Sequence, residues 1–317
     1  MRRFPTLLLL SLLVAGAAPS AARTMPAEII IDTDLGDDLD DAFALALALS
    51  SPELRLDGIT TSLGDTGLRA RMARRLLRLV GRTDIPVSAG PATRPYTRFT
   101  QSAWASAEPS GPVPPAVDVT LDRLHATPPG RITLVALAPL TTVGAMIDRD
   151  PAAFRRLAQV VVMGGSIRRG YGRRAGTNSA SPSIEYNVRC DPAGLRRLLA
   201  SGVPVVLMPL DATEIALDRA ARAQLFATRT PLAAWLDALY PPWANGNPWG
   251  PDPTLFDVVP VAWLLRPSIC TPVPLRIAVS PSGATTIGAG PPNARACLGI
   301  DRAAVLGLLQ DRLARPG

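Results

Sequence analysis

The chain has no lysine, one histidine (His125) and three cysteines among 317 residues. A single histidine, with no Cys-x-x-Cys or Cys/His cluster, argues against zinc sites and His-dependent triads. The missing lysine weighs against a phosphatase with an Asp-x-Asp nucleophile, whose phosphoaspartate is held by lysine or arginine. All 33 basic residues are therefore arginines, against 26 acids, a formal charge of +7. They are scattered along helical patterns, and aromatics make up only 5% of the chain. No aromatic-interleaved basic patch exists, so nucleic acid is not an expected partner. Arg69, Arg71, Arg74, Arg75 and Arg78 alternate with Leu68, Met72, Leu76 and Leu79. That spacing predicts a helix with its arginines mainly on the solvated face.

Long apolar runs are equally scarce. The only one, Thr6 to Ala18, follows Met1-Arg2-Arg3 and precedes the small residues Ser20-Ala21-Ala22. This is the layout of a secretory signal peptide, and the run is too short for a span of ~20 residues. Residues 1–22 are read as the signal and 23–317 as one domain, periplasmic or secreted and free of the membrane after cleavage. An uncleaved anchor is the alternative. Cys270 and Cys297 could pair in such a compartment, or all three cysteines could be small buried residues.

From Glu28 onward, short apolar runs alternate with helical patterns. Strands are expected at Glu28–Asp32, Gly58–Leu63, Ile85–Ser88, Ile132–Leu137, Val160–Met163 and Val203–Met208. Helices are expected at Asp41–Leu49, Leu68–Val80, Leu140–Asp148, Pro192–Leu199 and Arg219–Ala227. The repetition predicts an α/β fold, a mainly parallel open sheet with helices on both faces. Two stretches, Pro91–Val117 and Pro241–Thr254, read as long loops of the kind that form lids or binding segments. The second carries Trp243 and Trp249, expected to be exposed and able to stack on a ligand.

The most informative segment is DTDLGDDLDDA, Asp32 to Ala42, in which six of the ten residues up to Asp41 are aspartates. Such charge density repels itself unless a cation sits within it. Aspartates on a tight glycine-containing turn suit a hard cation, calcium or magnesium. Helix capping by Asp40 or Asp41 explains one or two of the acids, not six. An EF-hand loop is excluded, since its twelfth position counted from Asp32 is Phe43. Further polar signals follow the other strands: Gly64-Asp65, Pro139 to Thr142, Gly164-Gly165 and Asp211 to Thr213. In an open parallel sheet these strand ends converge on one ligand crevice.

DTDLGDDLDDA resembles the N-terminal signature of the inosine–uridine-preferring nucleoside hydrolases, with an insertion before the final Asp-Asp. The resemblance continues through APLTTVGA (Ala138–Ala145), VVVMGGS (Val160–Ser166), EYNVRCDP (Glu185–Pro192), VPVVLMPLDAT (Val203–Thr213) and FDVVPVAWLL (Phe256–Leu265). It implies an N-ribohydrolase acting on a small ribonucleoside. Calcium would be held by Asp34, Asp41, Asp257 and the Thr141 carbonyl, with Asp34 also the general base. Asp40 and Asn187 would bind ribose hydroxyls and Glu185 the 5′ side, with Asn178 assisting. Met163 would pack beneath the sugar. A homo-oligomer is compatible with this picture.

The departures concern the leaving base. Phe256 stands where many pyrimidine-accepting members have histidine, and Pro91–Val117 lacks the family's loop histidine. Asp65 and Thr142 replace two asparagines. In purine-specific relatives an aromatic at the histidine's place stacks on the base, so Phe256, with Trp243 or Trp249, is expected to favour purines. The alternative is a catalytically impaired protein of the same fold that still binds calcium and nucleoside.

Overall fold

The computed structural model describes residues 25–94, 97–245 and 247–315; the expected signal peptide lies outside them. In chain order the main sheet contains β1 (Ala27–Thr33), β2 (Leu54–Thr61), β3 (Val87–Ala89), β4 (Ile132–Ala136) and β5 (Gln159–Met163). A hairpin follows, β6 (Gly170–Tyr171) with β7 (Asn178–Ser179), and then β8 (Val205–Met208). The sheet ends with β9 (Val273–Leu275), a second hairpin of β10 (Ile277–Val279) and β11 (Thr285–Ile287), and β12 (Ala294–Ala296). The strand order is β3-β2-β1-β4-β5-β8-β12-β9, parallel throughout except for the β12–β9 pair.

Both faces are covered, as expected of near-continuously apolar strands. Ile29 and Ile31 of β1 point into one core, with helix α1 (Asp40–Leu49), helix α2 (Thr66–Leu79) and helices Pro231–Ala244, Val258–Leu265 and Arg302–Leu313. Ile30 points the other way, into a core with helices Ala116–Ala126, Thr141–Arg149 and Pro192–Ala200. This period of two is the pleat itself. Register then fixes the crevice: Asp32 pairs with Thr60 on one side and Ala136 on the other. The residues after β1, β2 and β4 therefore emerge side by side.

Three expectations need correction. Arg69 is not on the solvated face of α2: it is 2% exposed, whereas Leu79 is 49% exposed. The loop expected from Pro241 begins later, because the helix from Pro231 runs through Pro241-Pro242 to Ala244. Prolines inside a helix forfeit ladder bonds, but here burial of Trp243 against Tyr240, ring centroids 5.8 Å apart, holds the last turn. Pro91–Val117 also contains a short helix, Ser102–Ser106, and the start of helix Ala116–Ala126. A disulfide joins Cys270 and Cys297, and Cys190 is free.

Candidate functional site

The acidic turn emerges from β1 and is shaped by its own small side chains. The Asp32 carboxylate is fully buried and accepts from the Thr60 hydroxyl at 2.6 Å and the Ser62 hydroxyl at 2.8 Å. Thr33 accepts from the Leu35 N–H at 3.1 Å and donates its hydroxyl to Asp41. Gly36, at φ +125°, lies against the Phe99 ring, where a Cβ would collide. Segment 97–101 ties the turn from outside: Thr100 donates to the Asp37 carbonyl at 2.8 Å, and the Gln101 amide to the Asp38 carbonyl at 2.8 Å.

Asp40 and Asp41 occupy the first turn of α1, and Asp257 the N-cap position of helix Val258–Leu265, which packs on α1. Two helix N-termini thus aim their positive ends at one point, which favours carboxylates there. One carboxylate oxygen from each of Asp40, Asp41 and Asp257 lies within 4.8 Å of the others, and all three side chains are buried. The tight trio contains Asp40, expected on the ribose, and not Asp34. Asp34 is buried beside it and raises the pKa of Asp40 and Asp257 by its charge.

In the protein without an ion, burial and then neighbouring carboxylates push Asp34, Asp40 and Asp257 well above the ordinary carboxylate range. Asp41 rises to about 6, burial outweighing the Thr33 hydrogen bond and the Arg69 charge. Asp32, in its cage of hydroxyls, rises to about 7, mainly by burial. Carboxylate oxygens are hard donors, and no thiol or imidazole belongs to the group. The donor set fits a hard cation such as calcium.

Thr141 is the first residue of helix Thr141–Arg149, at the end of the turn that follows β4. At the β4 end, the Leu137 N–H bonds the Asp32 carbonyl at 2.8 Å, and the Leu137 carbonyl accepts from the Asn187 amide at 2.6 Å.

Across the crevice, Glu185 caps helix Tyr186–Cys190. It accepts from the N–H groups of Asn187 at 2.8 Å, Val188 at 3.0 Å and Gly165 at 3.0 Å. The Asn187 amide also reaches the Met163 carbonyl at 3.3 Å and its sulfur at 3.5 Å. Glu185, Asn187, Met163 and the β4 end are thus joined directly. Asn178 is engaged elsewhere: its amide donates to the Leu210 carbonyl and accepts from Arg302, at 2.8 and 2.9 Å. Asp65 is exposed and caps α2 through the Leu68 N–H at 2.9 Å. It lines a cavity of about 510 Å³ with Asp37, Arg69, Thr93, Thr97 and Phe99.

The aromatic expectations divide. Phe256 is half-buried beside Asp257 and meets the Tyr171 ring edge-on, centroids 6.1 Å apart. Trp243 is not an exposed loop residue: it is buried on its helix, beside Asp38. Trp249 is 67% exposed. His125 lies on a surface helix and pairs with Asp150 at 2.9 Å. Sequence reasoning missed Tyr171 and Tyr186. The Tyr171 hydroxyl accepts from the Tyr186 N–H at 3.0 Å, and the Tyr186 hydroxyl pairs with Thr97 at 3.1 Å. Tyr186 could have been found from its place between Glu185 and Asn187.

A sequence profile described as inosine-uridine preferring nucleoside hydrolase matches residues 29–307. The chain belongs to that family. A nucleoside hydrolase relative, the pyrimidine-specific ribonucleoside hydrolase of Citrobacter koseri, is 32% identical over 92% of this chain and 99% of its own. An uncharacterized protein of Schizosaccharomyces pombe is 34% identical over 82% of this chain and 87% of its own. Among solved structures, a plant nucleoside hydrolase superposes with a TM-score of 0.80 at 25% identity, covering 92% of this chain and all of that one. The nucleoside hydrolase fold therefore extends across the described chain, with the buried acids at the carboxyl ends of its parallel strands.

Proposed function

We propose that this nucleoside hydrolase cleaves the N-glycosidic bond of ribonucleosides to free base and ribose, with calcium as cofactor and purine nucleosides favoured. The observation that carries the reading is the buried trio Asp40, Asp41 and Asp257, with Asn187 bonded to the backbone at the β4 end beside β1. Asp34, Asp41 and Asp257 would hold the ion, together with the Thr141 carbonyl. In support of this set, Thr33 donates its hydroxyl to Asp41, tying the acidic turn to the first turn of α1. When bound, calcium supplies Lewis acidity toward water. Asp34 takes the proton from the attacking water as its oxygen bonds to the sugar C1′. The C1′–N bond breaks with its electron pair leaving on the base, which takes a proton from solvent, while Asp34 returns the proton it took to solvent. Positive charge building on the ribose ring is stabilised by the surrounding carboxylates. Asp40 and Asn187 orient the ribose hydroxyls, Glu185 the 5′ side, and Met163 packs below the sugar.

Purine preference rests on the absence of histidine from the crevice and on Phe256 standing beside Asp257 with Tyr171 behind it. A stacked base is the remaining means of activating the leaving group, and purines offer the larger face. A preference for pyrimidines is the second reading, favoured by the pyrimidine specificity of the Citrobacter koseri relative. Reducing-sugar release from inosine, guanosine, uridine and cytidine decides between them. Higher kcat/KM for uridine would overturn the purine reading. Nucleoside binding without ribose release would leave a binding protein of this fold. We also propose an extracytoplasmic location, which the basic-apolar-small N-terminus and the Cys270–Cys297 disulfide support.

A further inference from the structure

Arg69 is among the most completely buried large side chains of the protein, at 2% exposure. Burying a guanidinium is costly unless its donors are satisfied and its charge is balanced. Here its donors point at the acidic turn and the turn after β2. Nε donates to the Leu63 carbonyl at 2.7 Å. Nη1 donates to the Asp34 carbonyl and, at 3.0 Å, to the Leu35 carbonyl. Nη2 donates to the Asp37 carboxylate at 2.9 Å. Its Cζ lies 5.0 Å from the centre of the Phe99 ring, the ring that also covers Gly36. Leu63 itself is held at φ +67°, a conformation that L residues other than Asn and Asp rarely adopt, and its carbonyl is one of the four acceptors.

We propose that Arg69 is the positioning residue of the calcium turn, its planar fork holding Asp34, Leu35 and Asp37 in the ion-receptive shape before an ion arrives. The inference rests on the calcium reading given above. Fixing the Asp34 carbonyl fixes the backbone from which the Asp34 carboxylate projects, and the Leu35 and Asp37 contacts fix the next turn of chain. A turn of several residues between Asp34 and Asp40 loses conformational entropy when an ion must order it. A preset turn avoids that loss. Lysine could not do the same, because one ammonium replaces neither the fork nor its geometry.

Two effects of removing Arg69 have opposite signs, which makes the idea testable. As a mere counter-charge, Arg69 competes with the ion, and its loss would tighten calcium binding. As a positioning residue its loss weakens binding, by about 10–100-fold for a partner one shell out from a metal. Calcium titration calorimetry on wild type, Arg69→Lys and Arg69→Met separates them. The expected result is weaker binding in both variants, with Arg69→Lys failing although it keeps the charge. Hydrogen exchange in EDTA adds a readout of shape: amides 34–38 should exchange faster in Arg69→Lys than in wild type and become similarly protected at saturating calcium. Should the Arg69 variants not fold, Phe99→Leu loosens the guanidinium without changing any charge, and its calcium affinity should also fall. Wild-type affinity in Arg69→Lys, tighter binding in Arg69→Met, or unchanged affinity in Phe99→Leu overturns the proposal. Failure of wild type itself to bind calcium would instead sink the functional reading on which it stands.

Discussion

Removing calcium should steepen the fall of the protein's stability with rising pH. In the ion-free protein Asp41 is raised from 3.8 to about 6, Asp38 to about 6 and Asp32 to about 7, burial being the first cause in each case. A carboxyl raised in the folded state binds its proton more tightly there than in the unfolded chain. Its contribution is therefore complete below about pH 4 and is lost as pH rises through the folded value. Between pH 5 and pH 8, Asp41 and Asp38 each give up roughly 1 kcal/mol and Asp32 roughly 3 kcal/mol. Their sum is roughly 5 kcal/mol, and a domain of this size loses about 0.6 kcal/mol per degree at its midpoint. Asp34, Asp40 and Asp257, also raised, add losses of the same sign, so the melting temperature in EDTA should fall by at least roughly 8 °C across that window.

With calcium present, Asp41 is ionised and compensated throughout, so that part of the loss vanishes. The Tm difference between 1 mM calcium and EDTA should then widen steadily from pH 5 to pH 8. Differential scanning calorimetry at four pH values in each condition measures it. A calcium effect that is constant or shrinks with rising pH would show that the buried acids are not what the ion neutralises.

Other outcomes follow from the same geometry. Asp257→Ala and Asp34→Ala should each abolish ribose release and remove the calcium-dependent rise in Tm; wild-type calcium content by elemental analysis in both would refute the ligand assignment. Phe256→Ala should lower kcat for inosine more than it raises KM, because stacking that strengthens in the transition state acts on kcat; a variant with altered stability but intact kcat would make Phe256 a core residue only. Replacing Cys270 and Cys297 by serine opens a loop spanning 27 positions and should cost about 3.5 kcal/mol by the chain-entropy relation, read as a lower urea midpoint. Mass spectrometry of the exported protein should find its N-terminus near Arg23, and a product starting at Met1 would refute export.

The fold was legible because its signals are periodic and local. Strand-length apolar runs alternating with amphipathic stretches leave few arrangements, and a parallel sheet puts every loop after a strand on one edge. The acidic cluster was legible because six aspartates in ten residues have no economical explanation without a cation. What escaped were contacts between elements. Trp243 follows two prolines in sequence and reads as loop, yet packing against Tyr240 and the Asp38 carboxylate makes it helical and buried.

Arg69 shows the limit from another side. Helical periodicity sets it with Met72, Ala73 and Leu76 and opposite Arg71, Arg74, Arg75 and Arg78, but it does not name the groups that balance its charge. Its burial is decided by Asp37 and the carbonyls of Asp34, Leu35 and Leu63, residues brought beside it only when β1 and β2 pair. The signal that points to those partners is electrostatic: a run of six acids next to a parallel strand must find positive charge close at hand. In a chain without lysine, an arginine in the first turn of the helix after β2 is the nearest supply. The acid-rich signature and the arginine of α2 are thus two halves of one device, separated in sequence and joined by the register of the first two strands.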